Sequence, residues 1–380
     1  MKKTLIAIAA LAATGAFAQS TVTIDGNVDA GYVSLNYKGN GVTGVDRNIT
    51  STSAIHFRVN SDLGGGMKAY WHQENDIIPT STTANTGTGI AAGAATGAAT
   101  VGTWGVGQQM FGTSGAFGAI DFGGLNNAAL NAHLTSQPLG TAYGSGFGAT
   151  SGSFVTANVR QDNSLRYTSP VMGGGFKVGV LTRKQQAVTG QTTAFTSNVL
   201  GVQNQSQGIE YNVDYNAGPL NATFARATQD STNSAAGTKG TFTALAANYN
   251  FGAATIYGGY QLNKASPYAA ANTTDRQTLS VGVKYVAGVH TMMAAYQRAS
   301  NNLANAVGVT ANGQTSSSNA SNLLGLGYEY ALSKTAALTA RYERIGDSAN
   351  LLQATTGMPF AAQNNSSDRT RIGVGLRMGF

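Results

Sequence analysis

The stretch RTRIGVGLRMGF, residues 369–380, decides the fold. Ile372, Val374, Leu376, Met378 and Phe380 are apolar and share one parity, while Arg371, Gly373, Gly375, Arg377 and Gly379 between them are small or charged. A period of two is the mark of a β-strand with one apolar and one polar face. A strand this regular with an open edge would recruit other chains. The stretch therefore predicts a partner, and the first alternating run, from Thr21 to Tyr37, supplies one: Val22, Ile24, Val28, Ala30 and Tyr32 against Thr23, Asp25, Asn27 and Asp29.

The same alternation recurs along the chain. In AIHFRVNSDLGGGMKAYWHQEND (residues 54–76) Ile55, Phe57, Val59, Met67, Ala69 and Trp71 face one way, and His56, Arg58, Asn60, Lys68, Tyr70, His72 and Glu74 the other. About 16 such runs follow one another. Their connections alternate between short turns (63–66, 115–118, 171–175, 217–219, 251–253, 287–288, 332–335) and long polar segments (38–52, 79–104, 127–161, 184–207, 228–240, 263–274, 299–320, 346–368). All six prolines fall in connections, where no ladder N–H is needed. Short turns at one end and long loops at the other are the pattern of a membrane-spanning barrel.

Composition points the same way. Charged residues make up 10% of the 380-residue chain, well below the roughly one quarter of soluble domains. There is no cysteine, so disulfides do not hold the fold. MKKTLIAIAALAATGAFA, residues 1–18, has two lysines, an apolar run and Ala16-Phe17-Ala18, and reads as a cleaved secretory leader. No later run is apolar enough for a spanning helix. The expected fold is all-β: residues 19–380 as a transmembrane, 16-stranded antiparallel β-barrel with short periplasmic turns, long external loops, and tyrosines of the apolar parity as girdles at the lipid boundary.

VDAGY (28–32), SDLGGGMKAYWHQE (61–74), NSLRY (163–167), YNFG (249–252) and GYEYALSKTAALTARYER (327–344), followed by the closing strand ending in Phe380, resemble the Gram-negative trimeric porins of the beta-proteobacterial type across essentially the whole mature chain. The resemblance implies a homotrimer, a third external loop folded into the lumen, and passive diffusion of small hydrophilic solutes. It also implies that Phe380 is part of the signal read by the outer-membrane assembly machinery. The third loop would be 127–161, carrying His133, Pro138 and Tyr143, and the second, 79–104, variable surface or the latch between subunits.

Selectivity in such a pore follows bore and charge. The inward parity carries Arg58, Lys68, Arg166, Lys177, Arg183, Lys284, Arg341, Arg371 and Arg377, with Arg160 at the end of the loop, against Asp25, Asp29, Asp62, Glu74, Asp121, Glu210, Asp214, Glu329 and Glu343. The pore-lining set is read as Arg58, Lys68, Glu74, Arg160, Arg166, Lys177, Arg183, Lys284, Arg341 and Arg377. Asn27, Ala54, Gly107 and Gly124 stand where the family places arginines, and no acid occurs between Phe122 and Val159. The near balance argues against a strong transverse field, and the acid-free loop against a cation filter. The sequence predicts a weak or modest anion preference.

Catalytic and cofactor patterns are missing from the sequence. Only four histidines occur, with no H-E-x-x-H, no G-x-S-x-G and no cysteine nucleophile. His56, His72 and Glu74 are too few for a convincing metal set. No basic cluster with interleaved aromatics suggests nucleic acid. The expected partners are a second and third copy, outer-membrane lipid with lipopolysaccharide as the anionic component, the assembly machinery and small solutes. A solute-specific channel of the same fold, or a surface barrel acting as adhesin or receptor, are the alternatives.

Overall fold

A computed structural model describes residues 20–37, 40–47, 49–77, 107–141, 143–147, 160–185, 206–231, 239–264, 276–301, 320–346 and 369–380. The leader at 1–18 and the second long connection, 79–104, lie outside the described residues. The strands are β1 (Thr21–Tyr37), β2 (Asn40–Arg47), β3 (Ala54–Gly64), β4 (Met67–Asp76), β5 (Gln109–Gly115), β6 (Gly118–Asn126), β7 (Arg160–Thr168), β8 (Phe176–Gln185) and β9 (Ser206–Ala217). They continue as β10 (Leu220–Ser231), β11 (Lys239–Asn250), β12 (Ala254–Lys264), β13 (Arg276–Ala287), β14 (His290–Asn301), β15 (Ala320–Ala331), β16 (Ala336–Gly346) and β17 (Arg369–Gly379). Among the described residues a helix, α1 (Ala128–Ser136), follows β6.

All neighbours pair antiparallel, and β17 returns to β1 in the register Asn27↔Gly379 to Asn36↔Thr370, closing the sheet. The other edge of β1 is shared: β3 pairs with residues 21–27 and β2 with residues 30–37. The 17 strands thus fill 16 positions around the barrel. The connection expected over 38–52 is therefore partly a strand, and residues 49–53 carry the chain inwards with Ile49, Thr50 and Ser53 buried.

Parity holds around the wall. On β17, Ile372, Val374, Leu376 and Met378 are exposed on the outside, whereas Arg369 and Arg371 are buried within. The outer band continues through Leu245, Leu279, Val281, Val283, Leu326 and Leu338. Such a face costs free energy in water and suits hydrocarbon. Its margins are aromatic: Tyr32, Tyr211, Tyr260 and Tyr296 towards the long connections, Tyr249, Tyr285, Tyr328, Tyr330 and Phe380 towards the short turns.

Short turns close where glycine permits. Gly64, Gly65 and Gly66 between β3 and β4 all have positive φ, between 62 and 79°, which a side chain would resist.

Candidate functional site

The inner face of the wall is where polar groups collect, and α1 lies against it. Asn127 caps the helix, its Oδ1 accepting from the Leu130 amide at 3.1 Å. Glu210 on β9 accepts from the Ala128 amide at 3.0 Å. A carboxylate at the positive end of a helix favours this dock through both the hydrogen bond and the dipole. Asn131 donates to Asp214 at 2.8 Å, and Asn248 donates to the Thr135 carbonyl at 3.0 Å.

The wall beneath the helix is built of small residues. Ala129 and Ala132 pack against Ala225, Ala227, Ala244 and Ala246 around the fully buried Phe242. Farther along, Pro138 lies over Gly282, where a Cβ would come within 2.6 Å of the proline Cδ. Close approach of one main chain to another needs such positions.

After α1 the chain turns back on itself. His133 is fully buried and its Nε2 donates to the Gly140 carbonyl at 2.8 Å, which leaves Nδ1 unprotonated and with no hydrogen-bond partner among the described residues. Burial pushes this imidazole down to about 4, with the Gly140 bond opposing. Tyr143 packs on Val33 and Ile49, with the Arg371 guanidinium 3.8 Å from its ring centroid. The Gly144 amide donates to Glu343 Oε2 at 2.9 Å and Gln297 donates to the Ser145 carbonyl at 2.5 Å. The segment therefore crosses from β9–β13 to β14–β17. It is fixed at both ends.

This arrangement was only partly foreseeable. The segment read as one loop over 127–161 contains a helix, and its last residues, Arg160 and Gln161, already belong to β7. Asn127 before an Ala/Leu run and Pro138 just past Ser136 were the available helix signals.

The expected lumen residues are spread over the height of the wall. Lys68 and Lys177 are exposed near the short-turn end, opposite Asp62 and Asp214, and Lys284 is half-buried at a similar level. Arg58 reaches Asp25 at 2.6 Å and His72 at 3.2 Å, and so sits between His56 and His72. The His56 and His72 rings meet edge-on with centroids 5.7 Å apart, and His56 stands opposite Glu74 on the neighbouring strand, yet no metal-binding cluster is found among the described residues. Arg160 bridges to Glu74 at 3.0 Å and Asp76 at 3.6 Å, and Arg166 to Asp121 at 2.8 Å. Arg183 is buried on β8.

On β15–β17 the pairing is uneven. Arg341 and Arg377 share Glu329, each at 3.0 Å. Arg369 and Arg371 share Glu343, at 2.8 and 3.7 Å. Four of the nine acids counted as lumen charges are withdrawn from water, Asp29 accepting from Thr50 and Ser51, Asp121 paired with Arg166, Glu210 holding α1 and Glu343 fully buried; three of the ten cations, Arg183, Arg341 and Arg371, are buried as well, which leaves seven cations against five acids. The near balance read from parity thus tilts towards cations at the exposed surface.

Comparison with known proteins agrees with this architecture. Residues 4–350 match the family model described as Gram-negative porin. Outer membrane porin protein 32 of Delftia acidovorans is 31% identical over 274 residues, covering 70% of each chain. The solved anion-selective porin from Comamonas acidovorans has TM-score 0.64 at 23% identity, over 95% of this chain and 100% of that one. A trimer form of OmpT of Vibrio cholerae has TM-score 0.62 at 14% identity, over 95% and 99%.

Proposed function

The chain belongs to the Gram-negative porin family and is an outer-membrane β-barrel channel, and from that premise we propose that it passes small hydrophilic solutes by diffusion with a weak or modest preference for anions. The activity is passage, not catalysis. The segment within 127–161 is the constriction, with His133, Pro138 and Tyr143 as its framework. Arg58, Lys68, Glu74, Arg160, Arg166, Lys177, Arg183, Lys284, Arg341 and Arg377 are the wall charges that solutes meet. The chain works as a homotrimer, as the trimer form of OmpT supports, in contact with outer-membrane lipid including lipopolysaccharide. It is delivered there by a cleaved leader at 1–18 and by assembly machinery that reads Phe380.

One observation carries the sign of the selectivity. Among the inward-facing charges that are not buried, seven cations (Arg58, Lys68, Arg160, Arg166, Lys177, Lys284 and Arg377) stand against five acids (Asp25, Asp62, Glu74, Asp214 and Glu329), and the inward segment carries no acid in its sequence. A surplus of fixed cations on a pore wall concentrates anions. The anion-selective porin from Comamonas acidovorans has the same fold.

The test is the reversal potential of the reconstituted channel in a potassium chloride gradient. A chloride-directed value of modest size supports the reading, and Arg377→Gln should move it towards zero. A potassium-directed value in the unaltered protein sinks the anion preference, and the lack of any conductance sinks the channel itself.

A further inference from the structure

The lipid-facing parity also carries charge, at one end only. Arg226 on β10, Lys264 on β12, Arg298 on β14 and Arg344 on β16 point outwards and are exposed. Each belongs to the half of its strand that leads into a long connection. Arg298 and Arg344 stand two residues beyond Tyr296 and Tyr342, Lys264 four beyond Tyr260, and Arg226 is paired with Tyr211. At about 3.3 Å per residue these cations begin at the outer tyrosine girdle and extend one headgroup depth beyond it. None of the four takes part in an ion pair among the described residues. Arg226 and Arg344 donate only to threonine hydroxyls, of Thr243 and Thr370.

Below three of them the wall is indented. Outward-facing Gly258 on β12 floors a hollow of about 510 Å³ walled by Leu245, Tyr249, Ile256, Tyr260, Leu279 and Val281. A Cβ at Gly258 would meet no atom within 4 Å, so the space is free of protein. Gly258 lies six residues from Lys264 on the same strand, about 20 Å along it. Arg226 and Arg298 flank that line on β10 and β14.

We propose that Arg226, Lys264 and Arg298 hold the phosphates of an outer-leaflet phosphorylated glycolipid, lipopolysaccharide, while one of its acyl chains lies in the hollow over Gly258. This rests on the outer-membrane reading and specifies a site for its lipid partner. Guanidinium and ammonium groups at a headgroup depth with no ion pair among the described residues are complementary to phosphate. An apolar groove that runs from Tyr260 down to Leu220, Tyr249 and Phe251, open to hydrocarbon, complements the far end of a chain. Long external connections put this end at the outer leaflet, where the anionic lipid is the glycolipid.

The test measures purified deep-rough lipopolysaccharide bound per chain after reconstitution in mild detergent, by native mass spectrometry and phosphate assay. Arg226→Glu, Lys264→Glu and Arg298→Glu together should lower retention at least tenfold. Gly258→Leu, whose Cβ meets no protein atom within 4 Å, should lower it several-fold. Single-channel conductance of both variants should match the unaltered protein. Unchanged retention in the triple variant with normal conductance overturns the lipid site and leaves the porin reading standing. A change in oligomer size on Gly258→Leu, with retention unaltered, assigns the hollow to a second copy and also overturns it. No conductance in the unaltered protein is failure of the porin reading instead.

Discussion

Glu343 Oε2 accepts a hydrogen bond from the Gly144 amide across 199 residues of sequence, while its Oε1 pairs with Arg369. All of that carboxylate is buried, so its charge is satisfied wholly by protein. Truncation to alanine would remove the carboxylate that pairs with buried Arg369, at a cost of about 3 to 5 kcal/mol, and would compromise the wall as well as the segment. Glu343→Gln is the cleaner probe. It keeps an acceptor for Gly144 and loses the charge. The expected result is a noisier, larger single-channel current with little change in barrel assembly, checked by planar bilayer recording alongside heat-modifiability on gels.

Deleting residues 128–159, between β6 and β7, should enlarge the conductance severalfold and leave the wall intact. The helix fills lumen between β9 and β13, and no strand of the barrel depends on it for its ladder. Unaltered conductance would show that the narrowest point lies elsewhere.

His133 gives the inward segment a pH dependence of definite sign. An exposed imidazole protonates near 6.5, whereas this one resists protonation until about 4. Above about 6.5 both released and docked segments hold it neutral. As pH falls from there towards 4 only the released segment gains the proton, so the dock loses up to roughly 3 kcal/mol. Current fluctuations should increase between pH 6.5 and 4 in the unaltered protein, and His133→Asn should flatten that trend.

Phe380 and Gly26 exchange two main-chain hydrogen bonds, of 3.0 and 3.1 Å. The ring lies over Gly26, where a Cβ would come within 2.9 Å of its Cζ. Deleting Phe380 removes this last rung as well as a girdle residue. Less protein should reach the outer membrane, by quantitative blotting, while pores that do assemble keep their conductance. Phe380→Ala keeps the rung and removes only the ring: a loss of thermal stability without the assembly defect would separate the two roles.

The wall was legible because period two is a local property. Ile372 and Arg371 declare opposite faces from their immediate neighbours, and each of the expected runs contains a strand. The inward segment was harder. The stretch AALNAHLTS has no marked apolar stripe, since α1 packs alanines on one side and leaves Leu130 and Leu134 on the other. Its anchors, Glu210 and Glu343, looked like any inward acid, because what distinguishes them is an amide 82 or 199 residues away. The turn of the chain into β2 was hidden for a similar reason: NGVTGVDR scarcely alternates, and its place on the edge of β1 is fixed by the registry Leu35↔Val42 and Tyr32↔Val45.

The seam between β1 and β17 joins residues more than three hundred positions apart. Every other rung can form between strands that are close in the chain, with little loop entropy to overcome, but this one must wait until all the rest is in place. Until it forms, β1 and β17 are two open edges with apolar faces. A polypeptide that lacks β17 can never pass that stage, so the seam acts as a checkpoint: only a chain that carries β17 can stop being sticky.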